Sequence, residues 1–440
     1  MILRARHVLP LSGPAIRDGA VRISGRRIHA VGRWRDLSGV NDRQIIELGD
    51  AILLPGLVNA HCHLDYTDMA GQFPPPRFFT EWLKLITATK AGWAYSDFAT
   101  SWIHGAQMLL RTGTTTVADI EAVPQLLPEA WDSTPLRVVS FLEMIGMTNR
   151  RPPRQVLEEA ESKIRGLRHK RCFVGLSPHA PYSTVSDLLH LTASAARRRR
   201  LLLCTHVAES APEFALFARG EGEMFDWLQR SGRDMSDCRL GSPVEHLERC
   251  GFLGVNLLAT HANYLGPRDA ALLGKRRVTV VHCPRSHDYF RHEPFPLRRL
   301  AREGVNLCLG TDSLASVRAG RGRVVELSMF EEMRTLARRE PTLSAKTILN
   351  MATLNGARAL GMQGQIGEIV PGAFADLIAL PAPAARTNIY DAVLHHPGPV
   401  VASMINGQWA SCEPKPEDRA PEAERLPEVD GRNPTASVRI

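Results

Sequence analysis

The chain has 440 residues, and its 54 Lys and Arg against 46 Asp and Glu give a formal charge of +8. Hydrophobic residues at 44% and charged residues at 23% exclude a largely disordered, collagen-like or coiled-coil chain. No apolar run approaches the roughly 20 residues that a membrane helix needs, and the amino-terminal MILRARHVLPLSGP lacks the apolar core of a signal peptide. We therefore expect a cytoplasmic protein with no membrane partner.

Cysteine usage and charge distribution argue against two further classes. The eight cysteines form no CxxC pair and several lie in apolar runs, so we expect buried free thiols and no disulfide framework. The basic run at 197–200 directly precedes the strand-like LLLCTH, where a solvated helix end is the simpler interpretation. Because no nucleic-acid recognition module is evident, we expect no nucleic-acid partner, and an Arg-rich nucleic-acid binder is the minor alternative.

In chain order, the first fifty residues predict short strands, VRISG and RRIHAVG, joined by Gly-containing turns. From about residue 57, eight apolar, β-branched-rich segments alternate with helix-capable stretches such as 154–167 and 185–196. The eight segments are LVNAHCH, TTTVAD, VVSFLE, CFVGLSP, LLLCTHV, LLATHA, VTVVHC and VNLCLGTD. This alternation predicts a parallel sheet covered on both faces, and eight such units predict an α/β fold of the (β/α)8 TIM-type barrel.

After the predicted barrel, segments 365–380 and 400–409 return to short strands with Gly and Pro turns. The simplest architecture pairs both chain ends, so that residues 1–54 and 365–412 form a small flanking β-sandwich domain beside a barrel of residues 55–364. Residues 413–440 are rich in Pro, Glu and Arg with few large apolar residues, and we expect a disordered tail.

Polar residues end nearly every predicted barrel strand. His61 and His63 are two apart on the first strand, so an extended backbone points both imidazoles to the same side. His206 ends the fifth strand, His261 the sixth and Asp312 the eighth. Because the carboxyl ends of barrel strands converge on one mouth, we expect these side chains to meet there. Three imidazoles and a carboxylate suit a zinc-type ion with one coordination position left for water.

Each of these residues has a simpler interpretation when taken alone. A lone histidine is as often a hydrogen-bonded core residue, and Asp312 in GTDS fits a helix cap. Five such residues, each at a strand end, are not expected by coincidence. Glu209 follows His206 by three residues, where a carboxylate would lie beside the metal as a proton shuttle, and a glutamate in the first turn of a helix is the alternative.

The segments LPGLVNAHCHLD, SPHAPYS, HVAES, ATHANYL, CPRSH and LGTDS follow one another in this order. The series resembles the amidohydrolase superfamily, in its branch of cytosine, guanine and adenosylhomocysteine deaminases and s-triazine hydrolases. The resemblance implies one divalent ion, with Zn2+ favoured over Fe2+, and as its ligands His61, His63, His206 and Asp312. It also implies Glu209 and His261 as the acid/base pair beside the bound water, whose proton Asp312 accepts. SPHAPYS lacks the bridging lysine of two-metal members, which favours a single ion.

The activity that this resemblance implies is hydrolytic release of ammonia from an aminated heterocycle, a small-molecule partner. FFTEWL, SFLEMIG, SPHAPYS, CPRSHDYF and LGTDSLAS most resemble aminodeoxyfutalosine deaminases of the alternative menaquinone pathway, which act on an adenine attached to a modified ribose. Deamination of adenosylhomocysteine, methylthioadenosine or guanine, and triazine hydrolysis, are the alternatives within the branch. A non-catalytic scaffold is a further alternative, and a homodimer is compatible with the resemblance.

Four residues are candidates for substrate contact. His179 in SPHAPYS matches a position that faces the substrate in related deaminases, and a loop-organising histidine is its alternative. Glu81 and Trp82 lie where the resembling enzymes form a lid over the substrate, although Trp82 also fits helix packing. Glu143 ends the third barrel strand and is expected to point to the mouth unless it is structural. His287 replaces a common Asn, and its role is open.

Overall fold

The computed structural model describes residues 1–37, 44–148, 151–318, 325–383 and 388–411, so the predicted disordered tail lies outside the described residues. The strands are β1 Ile2–Val8, β2 Ile16–Ser24, β3 Arg27–Arg33, β4 Ile45–Glu47, β5 Ala51–Pro55, β6 Leu57–Cys62, β7 Thr114–Glu121, β8 Arg137–Met144, β9 Phe173–Pro178, β10 Leu203–Val207, β11 Leu257–His261, β12 Thr279–His282, β13 Asn306–Leu309, β14 Leu377–Pro381, β15 Ala402–Ile405 and β16 Gln408–Ser411.

The helices alternate with the barrel strands and continue after them. They are α1 Trp34–Leu37, α2 Phe79–Ala91, α3 Tyr95–Arg111, α4 Leu127–Asp132, α5 Pro153–Gly166, α6 Ser186–Arg199, α7 Ala211–Arg219, α8 Glu223–Arg230, α9 Pro243–Arg249, α10 Asp269–Lys275, α11 Pro284–Phe290, α12 Leu297–Arg302, α13 Met329–Arg339, α14 Ala345–Met351, α15 Leu354–Ala359 and α16 Ile389–Leu394. Among the helices of the described ranges, none is long and apolar enough to cross a membrane.

Strands β6 to β13 form a parallel eight-stranded sheet in sequential order. The sheet closes on itself after β13, because the backbone amides of Thr311 and Asp312 donate to the carbonyl of His61 at 3.0 and 3.1 Å. Cys62 and Asp312 add an isolated parallel bridge at the same seam. All eight predicted barrel strands are confirmed, and the predicted (β/α)8 barrel with them.

The barrel interior is filled by alternate residues of its strands. One buried cluster draws on β6, β7, β8, β10, β11, β12 and β13, with the side chains of Val58, Ala60, Ala118, Ile120, Val139, Phe141, Cys204, Leu258, Val281 and Cys308. Strand β9 contributes Gly175 instead, where an added Cβ would stand 2.6 Å from the Phe141 ring. The absence of a side chain at Gly175 therefore makes room for the Phe141 ring. Because the barrel interior is filled, we look for the active site at the mouth of the barrel.

Helices cover the outside of the barrel as the apolar periodicity predicts. The predicted helix over 154–167 is α5, and the one over 185–196 is α6, which continues to Arg199. The basic run 197–200 is exposed, and Arg200 ends the helix in a left-handed conformation with φ of 57°. The solvated helix end that we predicted is confirmed. The seven described cysteines are buried and free.

The two chain ends build a second sheet with the strand order β16-β15-β14-β5-β1-β2-β3, and β4 pairs with β1. Pairing is antiparallel except where β1 meets β4 and β5. The sheet curls so that its ends meet, because Arg27 bridges Phe374 and Gly407 lies against the carbonyl of Gly25. The flanking β-domain from both chain ends is confirmed, whereas its boundaries stay predictions.

The segment 365–376 forms turns rather than strands, and the strand begins only at Leu377. Gly367 and Gly372 take φ of 74° and 90°, a region that an extended strand does not use. This segment carries Asp376, whose carboxylate pairs with Arg137 at the start of β8 across 3.0 Å. Both side chains are 1% exposed, so a buried ion pair ties the barrel to the flanking sheet.

Candidate active site

Three imidazoles and a carboxylate meet at the carboxyl end of the barrel strands. His61 is the second-last residue of β6, and His63 follows that strand. His206 lies on β10 and Asp312 follows β13. The Nε2 atoms of His63 and His206 are 3.3 Å apart, and Asp312 Oδ1 lies 3.7 Å from the Nε2 atoms of both His61 and His63. Within the described part of the chain, His61, His63 and His206 are the one group of three side chains close enough to share an ion.

The free ring nitrogen atoms of this cluster fit a metal ion. His61 Nε2 is buried and has no hydrogen-bond partner, although a buried polar atom normally has one. Donor separations of 3.3 to 3.7 Å are close to, and at most a few tenths of an ångström above, the edges of about 3.3–3.4 Å that four ligands define when each lies about 2.0–2.1 Å from a zinc ion. His61, His63, His206 and Asp312, the four predicted ligands, are therefore brought together in an arrangement that could hold one divalent ion.

The protonation states of His63, His206 and Asp312 agree with a ligand role. Burial lowers the pKa of His61, but contacts with Asp312 and Cys204 outweigh it and raise that pKa to about 9, so this ring must lose a proton to bind an ion. Burial, with the neighbouring imidazoles, holds the pKa of His63 and His206 well below the usual range, so both rings are neutral at pH 7. Burial raises the pKa of the Asp312 carboxyl, but the adjacent His61 and His261 rings outweigh it and hold that pKa well below its ordinary value. Asp312 Oδ2 also accepts hydrogen bonds from Ser286 and Ser316 at 2.6 and 3.0 Å. The carboxylate is thus ionised and oriented.

The two predicted acid/base residues face each other beside this cluster. Glu209 follows β10 and His261 ends β11, with His261 Nε2 located 3.5 Å from Glu209 Oε1. Burial and the Asp312 charge raise the pKa of the Glu209 carboxyl well above its usual value, so this group can carry a proton near neutral pH. Burial lowers the pKa of His261 to about 3 and keeps its ring neutral. The structure therefore places one proton carrier and one neutral imidazole beside the cluster.

A cavity of about 210 Å3 opens directly above the cluster, with His63, His206, His261, Glu209 and Asp312 in its floor. Its walls are mainly apolar and aromatic, contributed by Tyr66, Trp82, Leu83, Ile86, Met147, Tyr182 and Trp227. A concave apolar space with a few convergent polar groups is typical of a small-molecule site.

Three of the four predicted substrate contacts line this cavity. His179 follows β9, and its Nδ1 pairs with Ser183 Oγ at 2.7 Å. Trp82 on α2 lines the wall, and its indole nitrogen donates to the Ala315 carbonyl at 3.3 Å. The Glu143 side chain at the end of β8 is 5% exposed and also faces the cavity. Their contact with a substrate stays a prediction.

Glu81 is not brought to the cavity. It is exposed in the first turn of α2, and its carboxylate accepts a hydrogen bond from the Phe78 amide at 3.3 Å. A carboxylate three residues into a helix commonly reaches back to the first free amide, which is the physical reason for this position. We therefore correct the expectation for Glu81 and leave it out of the proposed substrate site.

Sequence reasoning missed a polar group in the cavity wall. Lys90, in the last turn of α2, has its Nζ 3.8 Å from Glu143 Oε2 and 4.4 Å from the centre of the Tyr66 ring. A lysine in the last turn of a helix is usually interpreted as a solvated residue, and no sequence signal shows that α2 folds back over the mouth of the barrel. Lys90 is the one lysine among the described residues that line the cavity, and it lies next to the Glu143 carboxylate.

A sequence model of the amidohydrolase family matches residues 52–410. A 5-methylthioadenosine/S-adenosylhomocysteine deaminase of Syntrophobacter fumaroxidans is 34% identical over 381 residues, covering 82% of this chain and 80% of that protein. A 5'-deoxyadenosine deaminase of Methanothermobacter thermautotrophicus is 31% identical over 384 residues, covering 84% of this chain and 82% of that protein.

Solved structures give the same picture for the fold. An adenosine deaminase of Xanthomonas campestris with bound zinc superposes with a TM-score of 0.81 at 26% identity, covering 93% of this chain and 92% of that one. An aminofutalosine deaminase of Helicobacter pylori has a TM-score of 0.82 at 21% identity, covering 93% of this chain and 99% of that one. The second similarity concerns the fold alone.

Proposed function

The chain belongs to the amidohydrolase family and is a hydrolase of carbon–nitrogen bonds, and from this premise we propose that it removes the amino group of an adenine-type nucleoside as ammonia. The observation that carries the proposal is the meeting of four potential metal ligands with Glu209 and His261, because five of these six side chains line the floor of one apolar cavity. A divalent ion is supported by this donor set and by the zinc-bound relative, and within that choice we propose Zn2+, with Fe2+ as the alternative.

His61, His63, His206 and Asp312 would hold the ion, which would supply Lewis acidity and lower the pKa of a water towards neutrality. The ionised Asp312 carboxylate accepts the proton that this water loses as its oxygen bonds to the amino-bearing carbon. His261, neutral and pointing into the floor, stabilises the charge that develops at the attacked carbon. Glu209 donates a proton to the neighbouring ring nitrogen. As the carbonyl forms, the proton held by Asp312 passes to the departing amine and the second proton of the former water returns to Glu209. Water and the amine are thereby converted into a carbonyl group and ammonia.

We propose an adenosine altered at its 5' position as the substrate. Two relatives of more than 30% identity are named for 5-methylthioadenosine, S-adenosylhomocysteine and 5'-deoxyadenosine, which differ in that substituent. The apolar wall formed by Leu83, Ile86, Met147 and Trp227 can cover the carbon atoms of such a substituent. Aminodeoxyfutalosine, with the menaquinone pathway that it implies, belongs to the same class of modified adenine nucleosides and is the other candidate.

The test is ammonia release by the full-length, zinc-loaded protein. The panel is 5'-deoxyadenosine, methylthioadenosine, adenosylhomocysteine, aminodeoxyfutalosine, adenosine and guanine, with an amino-triazine, whose hydrolysis also releases ammonia, as the non-purine control. We expect one ammonia per nucleoside for at least one 5'-altered adenosine, with guanine and the triazine inert. Turnover of guanine or the triazine alone would overturn the substrate class. A protein that takes up no metal and turns over nothing would support the non-catalytic scaffold.

A further inference from the structure

The backbone around Glu209 is held from both sides. The amide of Glu209 donates to Glu213 Oε2 at 2.8 Å, and the amide of Ala208 donates to Glu213 Oε1 at 3.0 Å. The carbonyl of Glu209 accepts a hydrogen bond from Asn263 Nδ2 at 2.9 Å. Both peptide groups that flank Glu209 are therefore fixed by side chains from elsewhere, Glu213 on α7 and Asn263 after β11.

The Glu209 carboxyl itself has no such anchor. It accepts no hydrogen bond from any residue within the described ranges, and His261 Nε2 lies 3.5 Å from its Oε1. A proton donor must stand within about 2.6–3.2 Å of the atom that it protonates. The position of this carboxyl therefore depends on the backbone that carries it, and in particular on Ala208, which has a φ of 50°.

Glu213 is suited to this task as a carboxylate. It is completely buried, and each of its two oxygen atoms accepts a different backbone N–H. A glutamine could offer only one acceptor oxygen, and its NH2 group would face a second N–H. The pair of contacts therefore requires a group with two acceptor atoms at position 213.

His287 fixes the orientation of Asn263. Because the Glu209 carbonyl can only accept, Asn263 must present its NH2 group there, which leaves its Oδ1 facing His287 Nδ1 at 3.1 Å. His287 Nδ1 must then carry the proton and donate it. His287 and Asn263 are buried, so no competing contact with bulk water replaces this hydrogen bond. In an asparagine at position 287, the side-chain Nδ2 would be separated from the backbone by the same number of bonds as Nδ1 of His287. It could therefore donate to Asn263 Oδ1 in the same way.

We propose that Glu213, Asn263 and His287 are positioning residues that set the reach of the Glu209 carboxyl towards the substrate. This inference rests on the proposed function for the role of Glu209 and not for the geometry of its loop. Loss of Glu213 or of the His287 donor releases one flanking peptide. The released carboxyl then spends less time in range of the ring nitrogen, so proton transfer slows while the binding of substrate through the cavity walls is unchanged.

The first experiment measures amide hydrogen exchange in the full-length protein, which needs no activity. We expect Glu213→Gln to speed exchange of the Ala208 and Glu209 amides at least tenfold. Glu245→Gln is the matched control, because Glu245 accepts from the Ser242 amide at the start of α9, and it leaves exchange at 208 and 209 unchanged. Unchanged exchange in Glu213→Gln would overturn the proposed role of Glu213.

The second experiment measures kcat and KM at equal metal content. We expect Glu213→Gln and His287→Leu to lower kcat by 10- to 100-fold with KM within twofold, and His287→Asn to recover kcat to within threefold of wild type. Asp288→Asn, on the same helix α11, is the control for His287 and keeps wild-type kcat. A parallel rise in KM, or His287→Asn no better than His287→Leu, would overturn the proposal.

The two experiments separate the inference from the proposed function. If the wild-type protein deaminates nothing on the panel, the proposed function fails, and amide exchange alone decides the role of Glu213. If Glu213→Gln does not fold, the His287→Leu and His287→Asn pair decides the proposal through kcat.

Discussion

His206 donates its Nδ1 proton to the backbone carbonyl of His179 across 2.8 Å. A carbonyl can only accept, so this bond fixes the tautomer and leaves the Nε2 lone pair of His206 facing His63. His63 has no such anchor, since its Nδ1 is buried without a partner, and its ring is held instead by stacking between Tyr66 and His206 at centroid distances of 5.1 and 5.3 Å. The proposed ligands His206 and His63 are thus oriented in two different ways.

Thr260 is expected to tune metal affinity through His61. Its Oγ1 lies 3.3 Å from His61 Nδ1, the ring atom that does not face the cluster. Groups that orient a ligating histidine typically contribute roughly 10- to 100-fold in metal affinity. We expect Thr260→Val to weaken zinc binding by about that factor, measured by competition with a chelator. Thr279→Val, a buried threonine at the start of β12, is the control, and equal affinities of the two variants would contradict the prediction.

Glu209→Gln is expected to retain metal and lose activity. The amide keeps the shape of the side chain but cannot exchange a proton, so kcat should fall by about 10²- to 10⁴-fold. Metal analysis of the same samples is the control, because Glu209 lies 3.5 Å from His261 but outside the ligand cluster. A variant with wild-type kcat would remove Glu209 from the proposed chemistry.

The sequence was sufficient for the barrel and for the floor of the site. Apolar segments alternating with helical ones identify strands, and convergence of strand ends brings His61, His206 and Asp312 together without knowledge of any contact. Side chains that reach the mouth from a helix are different. Nothing local distinguishes Lys90, which lines the cavity, from Glu81, which caps the same helix α2, because the path of α2 over the barrel is a tertiary property.

Backbone anchoring was equally out of reach from the sequence. The bond between Asn263 and the Glu209 carbonyl joins residues 54 positions apart, and its geometry depends on left-handed conformations at Ala208, His261 and Ala262. Such conformations are uncommon for residues other than glycine, and sequence patterns do not reveal them. The sequence shows that His287 replaces a common asparagine, but it does not show that Asn263 is the hydrogen-bond partner of His287.

Glu143 is expected to contribute to substrate binding rather than to the chemical step. Its side chain is 5% exposed in the cavity wall, and its Oε2 lies 3.8 Å from Lys90 Nζ. The carboxylate can therefore still accept hydrogen bonds from hydroxyl groups of a substrate. We expect Glu143→Gln to raise KM about tenfold, the factor that corresponds to one hydrogen bond to a charged group, with kcat within threefold. Glu129→Gln on the exposed face of α4 is the control. A fall in kcat at constant KM would contradict this role.

The buried pair between Arg137 and Asp376 is expected to hold the flanking sheet to the barrel. Asp376→Ala leaves a buried guanidinium without its partner, and such a loss costs about 3–5 kcal/mol. The double variant Arg137→Met with Asp376→Leu removes both charges, and we expect it to recover most of that loss. Denaturant unfolding measures both, with Glu159→Ala from the exposed pair with Arg151 as a control that leaves the stability close to that of the wild type. A single variant as stable as the control would contradict the prediction.

His246 is expected to make the free energy of unfolding sensitive to acid. Its ring is 2% exposed and lies 4.8 Å from the Phe217 ring, and burial lowers its pKa to about 4 despite Asp237 Oδ2 at 3.7 Å. Between pH 4 and 6.5 the unfolded chain therefore binds more protons at this residue than the folded chain does. The free energy of unfolding should rise with pH across that window and lose up to about 3 kcal/mol as the pH falls through it. We expect His246→Gln to flatten the slope between pH 4 and 6.5 in denaturant titrations, whereas His190→Gln on the exposed face of α6 controls for the substitution itself. Parallel pH profiles for the His246 variant and wild type would show that burial does not keep this ring neutral.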